Sequence, residues 1–206
     1  MKNSFCRSFG VSLALLFLFL SSVQAAPSVG KKAPLFTGID SNGQKLNLSD
    51  YKGKTVILEW TNHGCPYVAR HYGIGNMQNH QKKAIADGVI WLSIISSAPG
   101  LQGHVDGNEA NQLTKSRNAH PTRVILDPSG KIGKAYSART TPHMYIINTS
   151  GTLIYQGGID DDPTSYGEIE DSTTNFILNA LAEIKAGKKV SKSTSQPYGC
   201  SVKYGS

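Results

Sequence analysis

Cys65 opens the segment Cys65-Pro66-Tyr67-Val68, directly after the apolar run Thr55-Val56-Ile57-Leu58-Glu59-Trp60. A sulfur where a strand gives way to a helix meets outward-pointing backbone N–H groups and the positive end of the helix dipole. Both favour thiolate over thiol. An unperturbed cysteine with a pKa of about 8.5 is only a few per cent ionised at pH 7, and lowering the pKa to about 7 makes it half ionised. A deeper shift adds little thiolate and blunts the nucleophile. A free cysteine is usually a small buried hydrophobe, but here Gly64 and Pro66 flank it in a turn. A reactive role requires Cys65 to be exposed and substantially ionised at neutrality. His63 either tunes this sulfur or merely flanks it.

A second thiol, Cys200, stands in the polar C-terminal stretch. From Gly187 it is 13 residues away, a reach of up to roughly 43–47 Å against a domain diameter near 40 Å. Closing so long a loop costs little more than closing a short one, and Gly199 gives the backbone freedom beside the sulfur. Cys200 is therefore either a partner that resolves an oxidised Cys65 within the chain or a free or intermolecular thiol. Thr141-Pro142 precedes an apolar run. A cis bond there would present the Thr141 backbone beside Cys65 as an edge for a peptide or thiol; the alternative is an ordinary strand-entry proline. His71, His80, His104, His120 and His143 show no tight metal-ligand spacing.

The elements that must position these groups follow from periodicity. Residues 1–25 read as a secretory leader: Lys2 and Arg7, the apolar run Val11–Leu20, then Val23-Gln24-Ala25 as a cleavage site. Cleavage removes Cys6 and leaves an exported, periplasmic or secreted chain, with no later run long enough to cross a membrane. The remaining two cysteines are too few to staple a fold, so their use is chemical. In an oxidising compartment such a pair closes unless an electron donor reopens it. The formal charge of +7 falls to +5 when Lys2 and Arg7 leave. The lysines that follow Ile184 lack interleaved aromatics, which argues against a nucleic-acid surface.

Pro34–Asp40, the Asn42-Gly43 turn and Lys45–Leu48 predict a β-hairpin. Buried strands are expected over Thr55–Thr61, Val89–Ile95 and Arg123–Leu126, and an antiparallel pair over Met144–Asn148 and Thr152–Gln156. Helices are expected over Val68–Asp87, with a loose first half because of Gly73 and Gly75, over Asn108–Arg117 and over Thr173–Ala186, where Gly187 is a stop. From Lys188 the composition turns to Lys, Ser, Thr, Gln and Gly and predicts a flexible tail. The division is a leader over 1–25, one domain over 29–187 and a tail over 188–206 carrying Cys200.

Trp60 followed by Cys65-Pro66-Tyr67, Thr141-Pro142 before a strand, and Tyr155-Gln156-Gly157-Gly158 resemble the thioredoxin superfamily. Ala33-Pro34-Leu35-Phe36 with Leu48–Lys54 is similar to its redoxin branch, the alkyl hydroperoxide reductase and thiol-specific antioxidant group. Trp91–Gly100, Thr140–Tyr145 and Pro197–Tyr204 are similar to a peroxiredoxin-like subgroup. The resemblance implies an α/β, thioredoxin-like fold: a central mixed sheet flanked by helices, with an N-terminal β-hairpin and a flexible C-terminal tail. It also implies Cys65 as the attacking cysteine and Pro142 as a facing cis-proline, beside Thr141.

Departures from the pattern bear on the reaction. Val68 stands where a Cys-x-x-Cys motif has its second cysteine, Asn62 where a peroxiredoxin keeps threonine, and Gly64 reads as an insertion beside His63. The arginine that steers peroxide falls near Pro142, with Arg139 as its nearest substitute. The implied activity is an exported thiol oxidoreductase acting on a peroxide or, alternatively, on a disulfide, with Cys200 resolving. It needs an external thiol reductant and no metal or organic cofactor. A third reading is a non-catalytic protein binding copper through Cys65, His143 and His63, or binding a partner chain.

Overall fold

The computed structural model describes residues 26–205; the expected leader and Cys6 lie outside the described residues. The strands are β1 (Thr37–Asp40), β2 (Lys45–Asn47), β3 (Val56–Trp60), β4 (Ile90–Ile95), β5 (Arg123–Leu126), β6 (Thr140–Thr141), β7 (His143–Ile147), β8 (Leu153–Gly157) and β9 (Cys200–Ser201). Seven form one sheet of order β2-β1-β5-β4-β3-β7-β8, while β6 and β9 pair with each other. β3, β4 and β5 run parallel, and the hairpin β1–β2 and the pair β7–β8 add antiparallel neighbours. Gly43 takes φ +75°, the left-handed conformation that a tight Asn-Gly turn requires.

β3 and β4 are almost wholly buried because helices cover both sheet faces. Ile57, Trp91 and Met144 pack under α1 (Pro66–Gly73), α2 (Asn76–Ala86) and α5 (Phe176–Lys185). Ile95 and Val124 pack under α3 (Gly107–Ser116). Leu58, Trp60, Leu92 and Tyr145 face α4 (Lys131–Ala135) and the N-terminal segment. Glu59 is fully buried in β3, yet its carboxylate accepts from Tyr72 Oη (2.9 Å), Gln81 Nε2 (3.3 Å), Trp91 Nε1 (2.7 Å) and Ser93 Oγ (2.8 Å). Four donors offset the desolvation of this acid and tie α1, α2 and β4 to β3.

Boundaries differ from the pattern where side-chain chemistry sets them. The single helix expected over Val68–Asp87 is two, because Gly75 at φ +78° breaks the run between Gly73 and Asn76. α3 begins where Asp106 and Glu109 form a reciprocal capping box. α5 begins at Phe176 rather than Thr173, since Asn175 caps the Leu178 N–H at 2.9 Å. α4 has five residues, too few to show a periodicity; it is held by the Gly133 N–H bond to Asp127 Oδ2.

The largest departure is the C-terminal segment. Composition predicts a flexible tail, but residues 188–205 run along the body as a strap. The Gln156 N–H bonds to the Ser193 carbonyl and the Ser195 N–H to the Gln156 carbonyl. Further on, β9 pairs with β6, the Val202 N–H reaches the Arg139 carbonyl, and the Ala98 N–H reaches Lys203. Tyr204 Oη donates to the Ala138 carbonyl, and its ring lies so close to Gly130 and Gly133 that a β-carbon on either would overlap it. Polar residues read as solvated by composition have individual partners here. Composition averages over such pairings and does not register them.

Candidate thiol site beneath the C-terminal strap

Cys65 is the N-cap of α1, with Pro66 at the first helical position where a missing N–H costs nothing. Its own N–H bonds to the Asn62 carbonyl at 3.1 Å, and its carbonyl takes the Ala69 N–H at 2.9 Å. The sulfur therefore faces the free N–H groups of the first turn. Across from it lies β6, which ends in a cis Thr141–Pro142 peptide. As a thiol, Cys65 Sγ donates to the Thr141 carbonyl at 3.0 Å. Cys200 stands directly opposite Thr141 in the β6–β9 pair, and the Thr141 hydroxyl donates to the Cys200 carbonyl at 3.5 Å. The four residues singled out in the sequence, Cys65, Thr141, Pro142 and Cys200, are thus brought together, with both cysteines free.

The expectation of an exposed sulfur is not met: Cys65 is 0 % exposed. Its cover is the chain's own strap. Cys200, Tyr198 and Tyr67 pack against the cluster that contains Cys65, and Tyr198 is fixed from both sides. His71 Nε2 lies 3.0 Å from Tyr198 Oη, while Asn76 Nδ2 lies 2.8 Å from His71 Nδ1. The amide group is the donor of the second contact, so Nε2 carries the ring hydrogen and donates to Tyr198. Tyr198 Oη in turn donates to the buried Asp160. Burial above all, with Arg70 nearby, pushes His71 down to about 4, keeping the ring neutral at pH 7.

Burial opposes ionisation of Cys65. It is outweighed by hydrogen bonds to the anion from the Cys200 thiol, the Thr141 side chain and the backbone N–H groups of Val68 and Cys200, so the pKa lies below the ordinary cysteine value. Cys200 moves the other way: burial, then its bond to Cys65 and the charge on that sulfur, push it up to about 11. Cys65 is thus the thiol that ionises first, and Cys200 keeps its proton beside it. Such polarisation fits a nucleophile paired with a resolving thiol.

Other candidates lie elsewhere. The copper reading needs His143 beside Cys65, but His143 pairs with Trp60 and stacks on Tyr145 (ring centroids 4.5 Å), on the sheet face opposite the Cys65 cluster. Side chains alternate along a strand, so Met144 faces Cys65's side and His143 does not. Among the described residues no group of three metal-ligating side chains forms, so Cys65, His143 and His63 do not converge as copper ligands. Arg139 is exposed and lines a cleft on the His143 face. Asn62 spends its side chain on the Gly64 N–H (2.9 Å) and the Gln102 carbonyl (3.2 Å). Sequence reasoning missed Tyr198, His71 and Asp160. It also missed Arg70, a buried side chain that holds the loop over α1 through Asp162 (2.6 Å) and the carbonyls of Thr164, Gly167 and Glu168. Only contacts between residues 38 to 127 positions apart distinguish these from ordinary polar residues.

The model of the AhpC/TSA family matches residues 29–156. A thiol-disulfide oxidoreductase, ResA, of Bacillus subtilis is 27% identical over 127 residues, 62% of this chain and 65% of that protein. The chain thus spans just under two thirds of that relative's length. Among solved structures, an uncharacterised conserved protein of Geobacillus kaustophilus superposes with a TM-score of 0.76 at 22% identity, over 86% of this chain and 93% of that one. The thioredoxin domain of a thiol-disulfide oxidoreductase of Bacteroides vulgatus gives 0.50 at 18% identity, over 64% and 89%. The fold is thioredoxin-like.

Proposed function

Because the chain belongs to the AhpC/TSA family, we propose that it is a thiol-disulfide oxidoreductase in which Cys65 attacks and Cys200 resolves. The observation that carries this is the placement of Cys200 opposite Thr141, on the edge that also accepts the Cys65 sulfur. In the first step the Cys65 thiolate attacks one sulfur of a substrate disulfide, forming a mixed disulfide and expelling the other substrate sulfur as thiolate. Cys200 then loses its proton to the departing thiolate and attacks Cys65, closing a Cys65–Cys200 disulfide and expelling the second substrate sulfur as a thiolate, which takes from water the proton that Cys65 had given up on ionising. The substrate gains two electrons and two protons. An external dithiol returns them to the chain by the same exchange run in reverse.

The strap sets the order of events. With Cys65 covered, attack on a substrate requires β9 to leave β6, and resolution requires it to return. Its attachments are noncovalent while the thiols are reduced, so the movement breaks no chemical bond. The disulfide reading is preferred over the peroxide one, because Asn62 is committed to Gly64 and Gln102 while Arg139 lies on the other sheet face. Among the described residues, neither the side chain at the peroxiredoxin threonine position nor Arg139 is then available to polarise a peroxide at Cys65. We place the protein outside the cytoplasm, with residues 1–25 removed as a leader, residues 29–187 as the redoxin body and residues 188–205 as the strap.

The test is a single-turnover reaction of the reduced full chain with a disulfide-bonded peptide, followed by mass spectrometry. Wild type should return free peptide and a Cys65–Cys200 disulfide. Cys200→Ser should accumulate the peptide on Cys65, and Cys65→Ser should do neither. Peptide reduction by Cys65→Ser at the wild-type rate would refute the assignment. Consumption of hydrogen peroxide no faster than by a free thiol is expected in parallel.

A further inference from the structure

Behind the strap, on the sheet face away from Cys65, lies a cleft of about 300 Å3. One wall is the body, with Arg139, His143 and Tyr145; the other is the strap, with Thr194 and Pro197; Pro27 closes one side. No aspartate or glutamate is among its described lining residues. His143 is 5 % exposed, and its Nδ1 takes the Arg139 backbone N–H at 3.3 Å and lies 3.2 Å from Tyr145 Oη. A backbone N–H only donates, so Nδ1 is the bare nitrogen and the ring hydrogen sits on Nε2. That N–H has no partner among the described residues, and the Arg139 guanidinium has no ion pair among them. Nε2 is not among the fully buried atoms left without a partner, so this donor opens on the cleft that His143 lines, where an acceptor can reach it.

We propose that this cleft binds a small organic carboxylate. One carboxylate oxygen accepts from His143 Nε2 and the other from the Arg139 guanidinium, and the apolar part of the ligand lies between Pro27 and Pro197. The volume is at the small end for ligand sites, which suits an acid of about ten heavy atoms rather than a peptide. Because one wall is the strap that carries Cys200, the cleft comes apart when the strap lifts. An occupied cleft therefore holds the strap down and slows access to Cys65. Binding only to the closed form reduces the open fraction by the factor 1 + [L]/Kd, about 11-fold at ten times Kd. The proposal stands whichever oxidant Cys65 meets.

The test uses the reduced full chain with benzoate as probe and benzamide as its uncharged counterpart. Benzoate should give a saturable shift of the Arg139 amide and His143 ring signals in NMR, with a Kd of about 1–10 mM for so small a ligand. At saturation the alkylation of Cys65 by iodoacetamide should slow about tenfold. Arg139→Gln, a change at an exposed side chain, should weaken benzoate about tenfold and leave ligand-free alkylation unchanged. Equal binding of benzamide, absence of a saturable shift, or benzoate binding without protection of Cys65 would each overturn the proposal.

Discussion

Replacing Tyr198 by phenylalanine isolates the latch on the strap. The ring stays, so its packing on Tyr67 (centroids 6.0 Å) and His71 (6.4 Å) is retained. Only the hydroxyl goes, and with it the bond from His71 and the bond to Asp160. Asp160 already has one carboxylate oxygen without a partner, and the variant leaves it the Asp162 N–H at 3.2 Å. A hydrogen bond contributes about 1 kcal/mol net and one to a charged acceptor about 1.5–3. Part of that is recovered when the lifted strap lets water in, which puts the change near 2 kcal/mol, or roughly a 30-fold larger open fraction. Since Cys65 is fully covered, iodoacetamide reaches it only from the open form, and the observed rate scales with that fraction. The assay is timed alkylation at pH 7 of the reduced protein, read by mass spectrometry on the Cys65 peptide, with the urea midpoint measured beside it to exclude global unfolding. A variant within about threefold of wild type would refute the latch, as would wild-type Cys65 reacting as fast as a thiol in unfolded chain.

Gly199→Ala should act in the same direction and more strongly. Gly199 has φ +113°, and a β-carbon there would lie 2.1 Å from the Thr141 carbonyl oxygen, so β9 cannot stay on β6; unchanged alkylation of Cys65 would contradict this. Glu59→Leu should leave the hydrogens of Tyr72, Trp91, Ser93 and Gln81 unpaired. At about 1–3 kcal/mol for each unmet buried group, the loss is on the order of 4 kcal/mol and the melting temperature falls by about 10 °C; a fall under about 3 °C in calorimetry would refute the network's role. Acid should destabilise the fold: burial holds His71 and His80 down at about 4 and His143 at about 3. The unfolded chain then takes up protons first, so stability is full above about pH 7 and falls as pH drops through 6.5 toward 4. Each contributes up to about 2 kcal/mol of loss at pH 5. Asp160, pushed up mainly by burial, works in the opposite sense. A urea midpoint at pH 5 equal to or above that at pH 7 would refute the assignment.

Local pattern determined much of this protein. The apolar runs at β3, β4 and β5, the Asn42-Gly43 turn and the step from strand to Cys65-Pro66 were legible because each is set by neighbours a few residues apart. The placement of Cys65 at a helix N-terminus follows from that same local grammar. Tertiary structure alone decided which groups meet the sulfur. Strand parity turned His143 to the far face, and pairing across 59 positions set Cys200 against Thr141. Composition described residues 188–205 as a solvated tail because it counts residue types, whereas the strap is held by particular partners: Tyr198 with His71 and Asp160, Tyr204 with Gly130 and Gly133. Whether the nucleophile is open or covered depends on those long-range contacts, and a linear pattern carries no term for them.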